Sequence, residues 1–163
     1  MSAHTRRGRG DRERPRRPHQ GGEEITVRIL ALDVGEKRIG VAVSDPGGMI
    51  AQPAGVIIRR SRRQAIAEIR TRVVACDAGR IVVGLPVRMD GTEGEAAAGV
   101  RKFVDLLREA VPVPVDVQDE RLSTAEADRA MIAGGVRRLR RRASRDAVAA
   151  ALFLQTYLDR RRH

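Results

Sequence analysis

The stretch from Ile25 to Asp33 is dense in aliphatic and β-branched residues, and Arg38–Ser44 (RIGVAVS) repeats the pattern after a break at Gly35. Short, nearly continuous apolar runs read as strands buried on both faces. Asp45-Pro46-Gly47-Gly48 is a turn, and Ala54–Arg59 makes a third strand. Connections this short favour antiparallel neighbours, so the three strands form a meander.

The period then lengthens. Ser61 sits where a helix N-cap is expected, with Gln64 in the capping-box position, and Ile66, Ile69 and Val73 recur at helical spacing through Ala75. Arg80–Leu85 (RIVVGL) is a buried strand stopped by Pro86. After a loop containing Asp90-Gly91, Glu95–Ala110 reads as a helix with Ala96, Val100, Val104 (or Phe103) and Leu107 on one stripe. Val113–Val117 is a fifth strand. Ser123-Thr124-Ala125-Glu126 opens a further helix with a capping box, and Gly134-Gly135 ends it. Arg137–Arg142 reads as a basic loop, and Ser144–Arg161 as the last helix, with Ala147, Ala151, Leu154 and Leu158 on its apolar face. A meander followed by strand–helix alternation predicts an α/β fold, a mixed five-stranded sheet flanked by helices. Right-handed crossovers put the fourth strand beside the first, which makes the first strand central and its carboxyl end a natural place for chemistry.

Composition narrows the picture. At 163 residues one domain is the default. Residues 1–24 hold almost nothing apolar and read as a disordered basic arm ahead of a folded domain at 25–163. No apolar run is long enough to span a membrane, the start has no apolar leader, and the one cysteine, Cys76, excludes an internal disulfide framework and a Cys-based zinc cage. Cys76 itself reads as core. These features point to a soluble protein of the reducing cytoplasm. The net charge of +11 favours a polyanionic partner, and 30 of the 32 basic residues are Arg, whose planar fork grips phosphate. Three aromatics, Phe103, Phe153 and Tyr157, argue against a base-stacking sheet face. His4, His19 and His163 lie at the chain ends, which argues against a Ser–His–Asp triad, and Gly84–Pro86 lacks the residues of a P-loop.

The acidic residues carry the candidate chemistry. Asp33 closes a hydrophobic strand, where a carboxylate is costly unless it caps, pairs or binds a cation. Asp119-Glu120-Arg121 follows the fifth strand, near Asp33 in the proposed sheet; strand alternation does not choose between the two acids, and either can pair with Arg121. Asp146 lies in the first turn of the last helix, where the helix dipole favours an acid. Asp45 and Asp90 read as turn residues. Clustered carboxylates repel, and Mg²⁺ or Mn²⁺ would relieve the conflict, so a basic protein carrying such a cluster suggests a nuclease.

Four blocks then bear a resemblance: Ala31–Asp45 (ALDVGEKRIGVAVSD), Val83–Glu95 (VGLPVRMDGTEGE), Asp119–Thr124 (DERLST) and Ser144–Leu158 (SRDAVAAALFLQTYL). In this order they resemble the YqgF family of ribonuclease H-like proteins, also described as Holliday-junction resolvases and as nucleases of the small-subunit ribosomal RNA precursor. The resemblance implies a ribonuclease H-like fold and a metal site of Asp33, Glu120 and Asp146, choosing Glu120 over Asp119. It implies hydrolysis of phosphodiesters with a two-ion Mg²⁺ or Mn²⁺ site, and a role in maturing 16S ribosomal RNA with pre-ribosomal particles as partners. Arg38 and Arg121 become candidates for substrate contacts, and Arg141, Arg142 and Arg145 for holding flanking phosphates. Family members often carry Lys near the start of the last helix; here the residues are Arg, which would act only through charge. Two other readings accompany this one: a Holliday-junction resolvase on branched DNA, which needs a homodimer rather than a monomer for paired cuts, and a non-catalytic RNA-binding assembly factor. An actin-like kinase ranks last, because the first block is not repeated.

Overall fold

The structure is a computed structural model; it describes residues 27–122 and 125–162, apart from the side chains of Leu122, Glu126, Arg140 and Arg142. The expected basic arm at 1–24, the first two positions of the expected first strand and the Ser123-Thr124 capping residues lie outside the described residues.

Five strands form one mixed sheet: β1 (Arg28–Val34), β2 (Arg38–Ser44), β3 (Ala51–Ile58), β4 (Ala78–Leu85) and β5 (Val115–Asp119), in the order β3-β2-β1-β4-β5. The first three are an antiparallel meander; β4 runs parallel to β1, and β5 parallel to β4. β1 is therefore central, as the crossover argument requires. Its residues divide by alternation: Leu30 and Leu32 join one core with α1 (Arg62–Ala75) and α2 (Glu95–Ala110), while Ile29 and Ala31 join another under α5 (Arg145–Arg161). The layers are two helices, the sheet, and then α5 with the shorter α3 (Ala125–Ala133) and α4 (Arg137–Arg142).

Local chemistry accounts for most element ends. The Ser61 hydroxyl accepts the Gln64 N–H at 3.0 Å and caps α1, and the Ser144 hydroxyl accepts the Ala147 N–H at 3.2 Å and caps α5. Four expectations need correction. β3 begins at Ala51 rather than Ala54, because Pro53 is tolerated on an edge strand that asks nothing of its missing N–H on the open side. β5 begins at Val115 rather than Val113, since Pro114 can accept from Ile81 N but cannot donate to a ladder. The inward alanine of α2 is Ala97, with Ala96 exposed. Arg137–Arg142 is a short helix and not a loop, entered from Val136, which is buried and donates its N–H to Met131 O. Cys76 caps the end of α1, half-buried against the core.

Candidate active site

β1, β4 and β5 run in the same direction, so their carboxyl ends open on one edge of the sheet. Asp33 lies one residue from the end of β1, on the α5 side by alternation. Glu120 opens the single 3-10 turn (Glu120–Leu122) that follows β5. The two carboxyls lie near each other across the end of β4, lining one cleft, close enough that each shifts the other's pKa. A cleft of about 660 Å³ lies over them, lined by Asp33, Glu36, Glu120, Glu95, Arg59 and Arg62 among others.

The electrostatics follow from that placement. Burial raises the pKa of Glu120, the Asp33 charge and hydrogen bond raise it further, and together they push it up to about 7. Asp33 is also raised, first by burial and then by the charge of Asp146; its hydrogen bond with Glu120 works the other way. The neighbouring acid takes a different course. Asp119 accepts a bidentate contact from Arg121, at 3.1 Å from Nε and 2.7 Å from Nη2, and this pairing holds its carboxyl below the usual range. Of the two acids that sequence alternation left open, the one spent on an ion pair is thus Asp119.

Asp146 approaches from the other side. It stands in the first turn of α5, whose N-terminus presses onto β2 at Gly40, the residue paired with Asp33 in the antiparallel ladder. A Cβ on Gly40 would fall 2.1 Å from the Asp146 carbonyl oxygen, so only glycine lets the helix come this close. Asp146 thereby acts on Asp33 through its charge, but it does not join the Asp33–Glu120 contact. Among the described residues, no three Asp, Glu, His or Cys side chains stand close enough together to hold one ion.

The arginines named from sequence separate into two groups. Arg38, Arg141 and Arg145 are exposed, and their side chains enter no hydrogen bond or ion pair among the described residues; the side chain of Arg142 lies outside them. Arg121 is committed elsewhere. Besides gripping Asp119, its Nη1 donates to Arg88 O at 3.0 Å, so it ties the turn after β5 to the loop after β4. Two cleft arginines escaped the sequence reading. Arg59 donates from Nη1 to Gly35 O at 2.7 Å and lies over the Phe103 ring at 5.2 Å, and Arg62 opens α1. Both come shortly after β3, which runs parallel in direction to β1 with β2 between them, so the meander ends at the sheet edge that carries Asp33.

Residues 27–160 match the family described as RuvX, Holliday junction resolvase. The chain belongs to the RuvX family. A RuvX relative from Halothermothrix orenii, named "Putative pre-16S rRNA nuclease", is 44% identical over 133 residues, covering 82% of this chain and 95% of its own. One of the same name from Heliobacterium modesticaldum is 47% identical over 138 residues, covering 84% and 92%. The fold is similar to that of T. thermophilus RuvC in complex with Holliday junction substrate, with a TM-score of 0.54 over 83% of this chain and 96% of that one; at 15% identity the likeness concerns architecture alone. The YqgF resemblance carried by the four sequence blocks is this same family, and RuvX membership makes the protein a nuclease, a hydrolase acting on ester bonds.

Proposed function

We propose that this RuvX protein hydrolyses RNA phosphodiesters, trimming the 5′ end of precursor 16S ribosomal RNA in the cytoplasm, with Asp33, Glu120 and Asp146 as its catalytic acids. The observation that carries the proposal is the Asp33–Glu120 contact at the carboxyl edge of the sheet, beneath a cleft walled by Arg59 and Arg62. The names of the relatives support the RNA substrate.

The donor set fits a divalent cation. Two neighbouring half-buried carboxyls whose pKa values are both raised are a pair whose repulsion a hard cation would remove, and their oxygens suit Mg²⁺ or Mn²⁺. Asp33 and Glu120 would hold it, with Asp146 adding its charge from the start of α5. Such a cation supplies Lewis-acid charge at the scissile phosphate. The chain's own groups do the rest. The Glu120 carboxyl, pushed up to about 7, gives up its proton near neutrality, which makes the pair anionic and able to orient an attacking water. Arg59 and Arg62 hold phosphate oxygens on the cleft wall, and Arg38, Arg141, Arg142 and Arg145 hold those of the flanking strand. Arg121 pairs with Asp119, whose charge adds to the rise at Glu120.

Precursor ribosomal RNA and labelled four-way junction DNA are incubated with Mn²⁺ and with chelator. Cleavage of RNA that stops with chelator, and falls at least about 100-fold in Asp33→Asn and Glu120→Gln, is expected. Wild-type-like cutting by either variant would remove the site. A second reading, a Holliday-junction resolvase, is favoured by the family description and the RuvC-like fold. Cutting of junction but not RNA, by a dimer in solution, would select it. RNA affinity with no cutting in either assay would leave a non-catalytic assembly factor.

A further inference from the structure

We propose that Met89 is a wedge: an apolar side chain, carried on a braced hairpin beside the candidate active site, that enters between two stacked bases of the bound nucleic acid and opens the strand at the phosphate to be cut. The proposal rests on the nuclease reading and extends it to how a paired substrate is handled.

Met89 is 95% exposed, more than any other large hydrophobic residue among the described residues; Val74 follows at 75%. A single exposed apolar residue is ordinary on a protein surface, so exposure alone decides nothing. Its mounting is what distinguishes it. The loop between β4 and α2 is a small hairpin closed by a bridge between Val87 and Glu93. Arg88 N donates to Thr92 O, and Gly91 N to Arg88 O, each at 2.9 Å, with Gly91 taking φ of +87° at the bend. Asp90 Oδ1 accepts from Thr92 N at 2.9 Å and from its hydroxyl at 2.6 Å. Glu93 is fixed in turn by Arg101, whose Nε donates to it at 2.8 Å. A loop with this many internal bonds has no need of an apolar tip for its own stability, and those bonds fix the backbone that carries the tip.

The position is beside the acids. Arg121, the residue after Glu120, donates to Arg88 O at 3.0 Å and reaches Met89 O at 3.5 Å, so the tip and the catalytic turn are joined by one side chain. Pro86 and Glu95, at the two feet of the hairpin, line the cleft over Asp33 and Glu120. Chemistry supports the same use. Proteins that kink nucleic acids insert Met, Leu, Ile or Phe between base steps, and a polarizable thioether sits well against aromatic faces. Phe103, Phe153 and Tyr157 do not offer a ring instead, at 2%, 1% and 7% exposed.

The test uses the full chain with duplex RNA and four-way junction DNA carrying 2-aminopurine at successive positions, bound in the presence of chelator so that nothing is cut. Wild type raises fluorescence at one position. Met89→Ala abolishes the rise and Met89→Leu retains it, with unchanged thermal melts for both. Which probe responds tells RNA from DNA. With Mn²⁺, Met89→Ala slows cutting of the paired substrate at least about 10-fold and leaves an unpaired strand, already unstacked, cut at the wild-type rate. An unchanged fluorescence rise in Met89→Ala, no rise in wild type, or equal loss on paired and unpaired substrates would overturn the wedge. A position-specific, Met89-dependent rise without cutting of any substrate would uphold the wedge and overturn the nuclease reading.

Discussion

Gly40→Ala perturbs the geometry on which Asp146 depends while changing no acidic or basic group. The added methyl would stand 2.1 Å from the Asp146 carbonyl oxygen and 2.4 Å from its carbon. An ordinary carbon–oxygen contact is roughly 3.3 Å, so the start of α5 must retreat by about 1 Å, because the obstacle is backbone and cannot rotate away. Overpacking of this kind costs about 1–3 kcal/mol, or roughly 2–12 °C in melting temperature for a domain of this size. The consequence for catalysis is larger: a displacement of about 1 Å at a reacting group can cost on the order of 100-fold in rate. The assay is cleavage of precursor RNA under Mn²⁺ alongside thermal melts of Gly40→Ala and Asp146→Asn. Gly40→Ala should lose both stability and rate, and Asp146→Asn rate alone. A Gly40→Ala protein that melts lower yet cuts at the wild-type rate would refute the argument that α5 must sit this close for Asp146 to serve the site.

Without metal, stability should fall as pH rises from about 5 to about 8, because a carboxyl whose folded pKa is raised to about 7 stabilises the fold fully below its unfolded value and loses that contribution on passing 7; Glu120→Gln should flatten the profile, as followed by thermal melts across pH. Asp116 has the opposite sign. Burial raises it, but hydrogen bonds from Tyr157 at 2.8 Å and Arg80 at 2.7 Å hold it below 3.8, so its contribution disappears only in stronger acid. Tyr157→Phe should therefore cost about 1 kcal/mol in a denaturant titration and leave cleavage unchanged. Gln155→Leu should cost more, about 1–3 kcal/mol, since the buried Gln155 accepts from Ala51 N and donates to Met49 O, and leucine leaves the Ala51 N–H unpaired under α5. Nucleic-acid affinity should fall steeply with added salt, with a shallower slope in Arg59→Ala and Arg62→Ala, as read by fluorescence anisotropy.

The strand order was legible because handedness constrains it: once the meander is read, a right-handed crossover leaves β4 only one place beside β1. Asp33 stood out as a charge ending an apolar strand. Its partner did not. Alternation assigns Asp119 and Glu120 to opposite faces without naming the functional one, and the choice came from the family resemblance; in the structure, Arg121 takes Asp119. Arg59 and Arg62 were missed because nothing local distinguishes them from Arg60 and Arg63; their role in the cleft is a product of the meander. Helix α4 was missed because six residues with five arginines offer no apolar stripe, so its helicity depends on Val136 and the neighbouring layer. The alanine misphased in α2 shows the same limit, since Ala96 and Ala97 are indistinguishable by pattern.

Asp146 rides on α5, the last helix of the fold, whereas Asp33 sits on its first strand. During synthesis β1 through β5 emerge long before α5, and until α5 covers its face of the sheet, Ile29, Ala31 and Val82 stay wet and Asp33 lacks its acidic neighbour. Cutting power would then arrive only with α5, after all five strands of the sheet have been made.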